Sequence, residues 1–227
     1  MRGKKLDRIK NRHYTVKNVP QKKKEQEVMH TKRPNIRYMT VTAMLSAVAF
    51  ALMFFEFSIP FLVPSFIQMD LSELPALIGA FAMGPWYGVL ICLIKNLIHL
   101  LITTTGGVGE LSNFILGAAF VLPAGMIYQR KKTKKNAIIG SFLGAAFMAV
   151  LSVLSNYFIV YPAYTAFMPM DTILAMYQEI LPGADTLLKC LVIFNMPFTF
   201  VKGLFSVVIT LLIYKHISPI IKGVSNK

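Results

Sequence analysis

RYMTVTAMLSAVAFALMFFEF, residues 37–57, is the stretch that decides the class of this protein. Written as a helix at about 1.5 Å per residue, it spans roughly 30 Å, which is the thickness of the hydrocarbon core of a bilayer. Arg37 opens the stretch and Glu56 stands near its end, and no charged residue lies between them. The stretch therefore predicts a membrane-spanning helix.

Outward from this stretch, the chain continues in the same apolar style. It is 55% hydrophobic, with a mean hydropathy of +0.57, which is too apolar for an ordinary soluble domain. A Gly84-Pro85 turn separates a short second span from the third. The further spans are expected near residues 74–84, 86–103, 110–128, 136–160 and 187–214. We predict an all-α integral membrane bundle of about six transmembrane helices.

The formal net charge of +14 is confined to a few segments. Basic residues crowd residues 1–36, the RKKTKK loop at 130–135 and the C-terminal end. With up-and-down spans, all of these fall on one side of the membrane, which the positive-inside rule makes the cytoplasm. We predict cytoplasmic termini, a basic and disordered arm over 1–36, a membrane domain over 37–216, a short tail over 217–227, and no nucleic-acid partner.

The chemistry of catalysis is not visible in the chain. No phosphate-binding loop, nucleophile elbow or metal-binding helix motif occurs, so energy for any transport has to come from partners or an ion gradient. Cys92 and Cys190 lie in apolar runs without metal-ligand spacing, and we interpret them as small buried hydrophobes. The sequence thus predicts no enzyme, no metal site and no resident cofactor.

Polar residues interrupt the apolar spans at three places. Lys95-Asn96 lies in the third span, Asn156 near the end of the fifth, and Lys202 in the last. Ionisable groups at this depth usually face a cavity or a partner. Each lysine either lines a binding cavity or pairs with a carboxylate. Asn156 and Asn113 either contact a ligand or join helices through hydrogen bonds. His99 is expected to pack beside Lys95.

A stripe of small residues marks the first span. Ala43, Ala47 and Ala51 are spaced four residues apart and therefore share one helix face. Such a face allows another helix to approach closely, either within the bundle or from another membrane subunit.

Five segments, taken in order, resemble the substrate-binding (S) components of energy-coupling factor (ECF) transporters, and among them the riboflavin-specific RibU family. They are LMFFEFSIPFL (52–62), MDLSELPALIGAFAMGPWYGVLICLIKNLIHLL (69–101), GELSNFILGAAF (109–120), SNYFIVYPAY (155–164) and PFTFVKG (197–203). The resemblance covers residues 37–215 and implies a cell-membrane subunit that binds its vitamin near the outer face. It also implies a transmembrane coupling protein, which the alanine stripe would contact, and two ATPase subunits.

The resemblance also suggests which residues hold the vitamin. Asn156 and Lys202 match flavin-binding positions of the family, whereas Thr199 stands where relatives are expected to carry asparagine, and Asn195 lies one turn earlier. Asp70 and Asn96 are the candidates for the ribityl chain, with Asn113 as a further contact. The expected apolar walls are Phe54, Phe57, Phe61, Tyr157 and Tyr161.

Other functions stay open from the sequence. Because Thr199 stands where relatives are expected to carry asparagine, an S component for a different vitamin is a second hypothesis. A membrane enzyme acting on lipid would want a carboxylate pair or metal motif near an interface, and a scaffold protein would tolerate Lys202→Ala. Binding of flavin would separate these alternatives from the riboflavin carrier.

Overall fold

The computed structural model describes residues 36–103 and 105–222, with side chains as far as residue 214. In chain order the α-helices are α1 (Ile36–Met53), α2 (Glu73–Ala82), α3 (Pro85–His99), α4 (Val108–Arg130), α5 (Lys134–Ser155), α6 (Tyr161–Tyr164), α7 (Met170–Gln178), α8 (Leu187–Cys190) and α9 (Met196–Lys222). Two short antiparallel strands, β1 (Phe57–Ser58) and β2 (Gln68–Met69), form a hairpin between α1 and α2.

The apolar helices confirm the prediction of an all-α membrane bundle. Five helical stretches have the length and hydropathy to cross a bilayer: Ile36–Met53, Pro85–Ile102, Val108–Arg130, Lys134–Tyr164 and Leu187–Tyr214. The sixth expected span is α2, which has only 10 residues. At 1.5 Å per residue it is about half as long as the hydrocarbon core is thick.

Helix α2 lies wholly inside the bundle. All ten of its residues are buried, and it packs against α3, α4 and α9. Small residues allow this close packing, since a Cβ atom on Gly88 of α3 would lie only 2.8 Å from the carbonyl oxygen of Ala76 in α2. At the other end of α2, the Gln129 amide donates a hydrogen bond of 3.3 Å to the Phe81 carbonyl. These contacts place the acidic start of α2 at a fixed position in the protein interior.

Two turns of π-helix interrupt the long helices. One covers Asn156–Val160 and joins α5 to α6, and the other covers Leu191–Asn195 and joins α8 to α9. A π-turn shifts the phase of the side chains that follow it, and such turns are frequent at functional sites. Both turns carry an asparagine that lines the cavity described below.

The predicted boundaries differ from the structure at several points. The expected basic arm, residues 1–36, lies outside the described residues except for Ile36, which begins α1. Residues 217–222 of the expected tail continue helix α9, and residues 223–227 lie outside the described part. The segment between α6 and α8 contains the short helix α7.

Candidate substrate-binding cavity

A cavity of about 180 Å³ lies between the β-hairpin, α4, α5 and α9. Five of the six side chains that the sequence singled out for substrate binding line it: Asp70, Asn113, Asn156, Thr199 and Lys202. The sixth, Asn96, is not among the lining residues. It is buried in α3, and its Nδ2 atom donates a hydrogen bond of 2.8 Å to the Cys92 carbonyl one turn earlier.

A four-residue ion network forms one wall of the cavity. Lys202 Nζ in α9 lies 2.8 Å from Asp70 Oδ2 and 3.8 Å from Glu73 Oε2. Lys95 Nζ in α3 lies 3.2 Å from Glu73 Oε1 and also donates to the Ser72 hydroxyl. Two ammonium groups therefore face two carboxylates, which is how buried charges are accommodated in proteins. The sequence had not identified these carboxylate partners.

The backbone before α2 stabilises this network. The Ser72 N–H donates a hydrogen bond of 2.7 Å to Asp70 Oδ1. Burial alone would raise the pKa of Asp70, but the charges of Lys202 and Lys95 and the hydrogen bonds from Lys202 and Ser72 outweigh it, so the pKa lies below its ordinary value of 3.8. Asp70 is therefore a carboxylate at neutral pH.

A second polar group lines the cavity, and we call it the Glu56–Glu110 pole. His99 Nδ1 lies 2.7 Å from Glu110 Oε1, and the hydroxyls of Thr103 and Thr105 donate to Glu110 Oε2 at 2.9 and 3.2 Å. His99 therefore pairs with Glu110, whereas Lys95 pairs with Glu73. Thr103 and Thr105 are thereby bonded to the first turn of α4.

Glu56 completes this pole of the cavity. It lines the cavity beside Gln68, whose amide nitrogen lies 3.0 Å from Glu56 Oε1 in the orientation that satisfies both groups. Partial burial raises the pKa of Glu56, and the nearby Asp70 carboxylate raises it further. With Glu56 and Glu110, this pole presents mainly acceptors of hydrogen bonds.

The apolar lining differs from the one the sequence predicted. Phe54, Phe57, Phe61 and Tyr157 are exposed at 59, 53, 84 and 41% and do not line the cavity. Of the five expected aromatics, only Tyr161 faces it. The other aromatic lining residues are Phe66, Tyr164 and Phe198. The difference arises because the turn between the strands directs Phe66, and not Phe61, toward the bundle.

Three polar residues of α8–α9 reach the cavity in a row. Asn195, Thr199 and Lys202 are spaced by four and then three residues, so they share one helix face, and all three line the cavity. Across from them, Asn156 accepts a hydrogen bond of 3.5 Å from the Ser112 hydroxyl. We call Asn195, Thr199 and Lys202 the α9 row. It offers donors as well as acceptors, unlike the Glu56–Glu110 pole.

The alanine stripe of α1 faces away from the protein interior. Ala43, Ala47 and Ala51 are all exposed. The buried face of α1 carries Thr42, Ser46, Ala49 and Met53 instead. The stripe is therefore available to another protein and does not pack inside this chain.

Among the residues that the structure describes, no group of three or more histidine, cysteine or acidic side chains is placed to hold a metal ion. Cys92 and Cys190 are both buried free thiols.

The family assignment rests on a match along the membrane domain. A family model of the substrate-specific components of ECF transporters matches residues 37–214. The chain belongs to this family. The S components of these systems are the substrate-binding subunits of transporters and not enzymes.

Relatives of this S component are similar along most of their length. It is 34% identical to the riboflavin transporter RibU of Staphylococcus aureus, over 84% of this chain and 94% of the relative. It is 31% identical to the riboflavin transporter FmnP of Bacillus subtilis, over 81% of this chain and 93% of the relative. A solved structure of the S component of a bacterial ECF transporter superposes with a TM-score of 0.65 at 31% identity, covering 84% of this chain and 99% of that one.

Proposed function

We propose that this S component captures riboflavin at the outer face of the cell membrane and carries it across with an ECF coupling protein and two ATPase subunits. The relatives with the highest similarity quoted above are named riboflavin transporters, which supports the choice of vitamin. The chain itself binds and releases the vitamin, and ATP hydrolysis takes place on its partners.

The combination of mixed donors and acceptors with several carboxylates in one cavity carries this proposal. The isoalloxazine ring of a flavin has one apolar dimethylbenzene end and one pyrimidine edge with alternating carbonyl and N–H groups. The α9 row and Asn156 offer amide, hydroxyl and ammonium groups for that edge. Phe66 and Phe198 offer apolar surface for the ring, so the cavity combines apolar walls with a few convergent polar groups, as ligand pockets do.

The carboxylates of the cavity suit the sugar alcohol of riboflavin. Carboxylates accept hydrogen bonds, and the ribityl chain supplies hydroxyl donors. Glu56, Asp70, Glu73 and Glu110 all line the cavity, whereas Lys202 is the lysine that lines it among the described residues. A phosphate ester on the ribityl chain would meet an excess of negative charge here. We therefore propose riboflavin, and not flavin mononucleotide, as the preferred ligand.

The exposed alanine stripe supports the proposal of a partner within the membrane. Ala43, Ala47 and Ala51 are exposed along α1, and small residues at such positions let helix backbones approach closely in lipid. We assign this face to the coupling protein. The surrounding apolar surface of the spanning helices is assigned to the lipid bilayer.

A flavin titration of the purified protein tests the function. We expect carried-over flavin in the absorbance spectrum, and saturable quenching of riboflavin fluorescence with one site per chain. Competition with a panel of other vitamins and with flavin mononucleotide then tests the alternative that Thr199 raises, an S component for a different vitamin. Absence of quenching by folded protein, combined with binding of another vitamin from the panel, would replace riboflavin with that vitamin.

A further inference from the structure

Asn195 is held in a closed ring of hydrogen bonds at the edge of the cavity. The Tyr177 hydroxyl donates to Asn195 Oδ1 at 2.6 Å, and Asn195 Nδ2 donates to the Tyr161 hydroxyl at 3.3 Å. The two tyrosine hydroxyls contact each other, which closes the ring. Asn195 and Tyr161 are 4% and 2% exposed, and Tyr177 is 0% exposed.

A count of donors and acceptors shows which hydrogen-bonding groups of Asn195 the ring leaves unused. Each hydroxyl has one proton, and because Tyr177 gives its proton to Asn195, Tyr161 must donate to Tyr177. Every member then donates once and accepts once. A carboxamide has two N–H donors and two acceptor lone pairs, so Asn195 keeps one N–H and one lone pair. Buried polar groups of this kind require partners, and Asn195 lines the cavity.

We propose that Asn195, positioned by Tyr161 and Tyr177, is the amide that recognises the pyrimidine edge of the flavin in this chain. The inference rests on the riboflavin function proposed above and goes further, because it assigns one specificity-determining side chain and its supports. Thr199 presents a single hydroxyl with one donor, whereas Asn195, one turn earlier on the same face, supplies the amide group.

The π-turn explains how Asn195 reaches the cavity. It covers Leu191–Asn195, and Asn195 is its last residue, directly before α9 begins at Met196. From there, Thr199 and Lys202 follow at helical spacing on the same face. The pyrimidine edge carries both carbonyls and an N–H, so it needs donors and acceptors together. The α9 row meets that need, while the Glu56–Glu110 pole is dominated by acceptors.

Tyr177 is the positioning residue of this arrangement. It belongs to α7, an element separate from the spanning helices, and its ring packs against Phe194 with centroids 5.4 Å apart. In Tyr177→Phe the ring and its packing are kept, but Asn195 loses the proton donor that fixes its carbonyl. The amide then becomes free to turn, and the correct orientation toward the ligand is no longer enforced.

The test combines protein variants with ligand variants. Riboflavin and 3-methylriboflavin, in which the pyrimidine N–H is replaced by N–CH₃, are titrated against the purified full chain, Asn195→Ala, Tyr177→Phe and the control Asn136→Ala. Asn136 lies at the start of α5, outside the cavity, and donates to the Ile127 carbonyl at 3.5 Å. Melting temperatures in the same detergent report whether each variant is folded.

We expect Asn195→Ala to weaken riboflavin binding about tenfold, the change expected for one lost hydrogen bond to a buried group. Binding of 3-methylriboflavin should change much less, so the preference for riboflavin over its methylated analogue narrows. Tyr177→Phe should also reduce the preference for riboflavin over 3-methylriboflavin, by a smaller factor. Asn136→Ala should leave this preference unchanged.

Equal weakening of both ligands, or no weakening of either, would overturn the assignment, because a purely structural residue cannot tell the two flavins apart. If Asn195→Ala does not fold, the ratio of the riboflavin and 3-methylriboflavin affinities of Tyr177→Phe tests the assignment instead. Failure of the unaltered chain to bind riboflavin would instead overturn the proposed function, and this inference with it.

Discussion

Lys202 Nζ lies 2.8 Å from Asp70 Oδ2, although 132 residues of chain separate the two. The pair joins the α9 row to the segment that leads from the β-hairpin into α2. The ammonium that faces the cavity is therefore also the group that holds Asp70 in place. A ligand that contacts Lys202 therefore contacts the ion pair that joins α9 to the segment before α2.

Replacing Lys202 should affect both stability and binding. In Lys202→Met, Asp70 is left as a buried carboxylate with a lost partner, and breaking such a pair costs about 3–5 kcal/mol. We expect a lower melting temperature in detergent and weaker riboflavin binding. The double variant Asp70→Asn with Lys202→Met should regain part of the stability without regaining the affinity. Strict additivity of the two losses in melting temperature would show that the residues are not coupled.

The lowered pKa of Asp70 predicts how the stability of the protein depends on pH. Its pKa in the folded protein lies below the ordinary 3.8, so its ionised form stabilises the folded state. That contribution is fully present above about pH 3.8 and is lost as the pH falls toward the lower, folded-state pKa. The difference in melting temperature between the unaltered chain and Asp70→Asn should thus be constant from neutral pH to about pH 5 and shrink only below about pH 4. A difference that vanishes near pH 6 would contradict this assignment.

Removing negative charge from the Glu56–Glu110 pole should improve binding of the phosphorylated flavin. Glu56 lines the cavity and is partly open to solvent, so Glu56→Gln lowers the repulsion without deleting a buried ion pair. A charge interaction of about 1 kcal/mol in water corresponds to roughly fivefold in affinity. We expect the preference for riboflavin over flavin mononucleotide to fall by about that factor in fluorescence titrations. Glu179→Gln, which lies outside the cavity, is the matched control, and an equal change there would point to long-range charge alone.

Crowding the alanine stripe should separate transport from binding. Ala47→Trp places a bulky ring on the stripe, and we expect it to abolish riboflavin uptake by the complex reconstituted with its coupling module while the riboflavin titration stays unchanged. Val48→Trp makes the same change at a neighbouring exposed position, 50% accessible, outside the stripe. Uptake that survives Ala47→Trp, or is lost equally in both variants, would show that the stripe is not the contact face.

The sequence was sufficient to identify the bundle and most of the polar cavity residues. Lys95 and Lys202 stand out because a lysine inside an apolar run has few physical explanations. Their partners could not be inferred, because Asp70 and Glu73 follow a proline-punctuated segment that reads as an external loop. Only the three-dimensional packing of α2 brings those acids into the interior.

Other features of the cavity could not be predicted from the sequence, for related reasons. The π-turns change the phase of the helices, so a regular 3.6-residue period does not describe the segment around Asn195. Side-chain direction in the hairpin depends on turns whose geometry has no repeating pattern, which is why Phe61 was chosen and Phe66 was missed. Asn96 is buried in α3, where its amide bonds to the Cys92 carbonyl, and it is not among the residues that line the cavity.

The burial of α2 has a consequence for how the protein is made. A segment of ten residues that begins with Glu73 is too short and too polar at its start to be recognised as a span by the insertion machinery. All ten of its residues are buried against other helices, and two of its neighbours, α4 and α9, are synthesised after it. We therefore expect α2 to enter the membrane as a hairpin with α3 and to settle only when α9 has emerged, so the vitamin cavity is completed at the very end of synthesis.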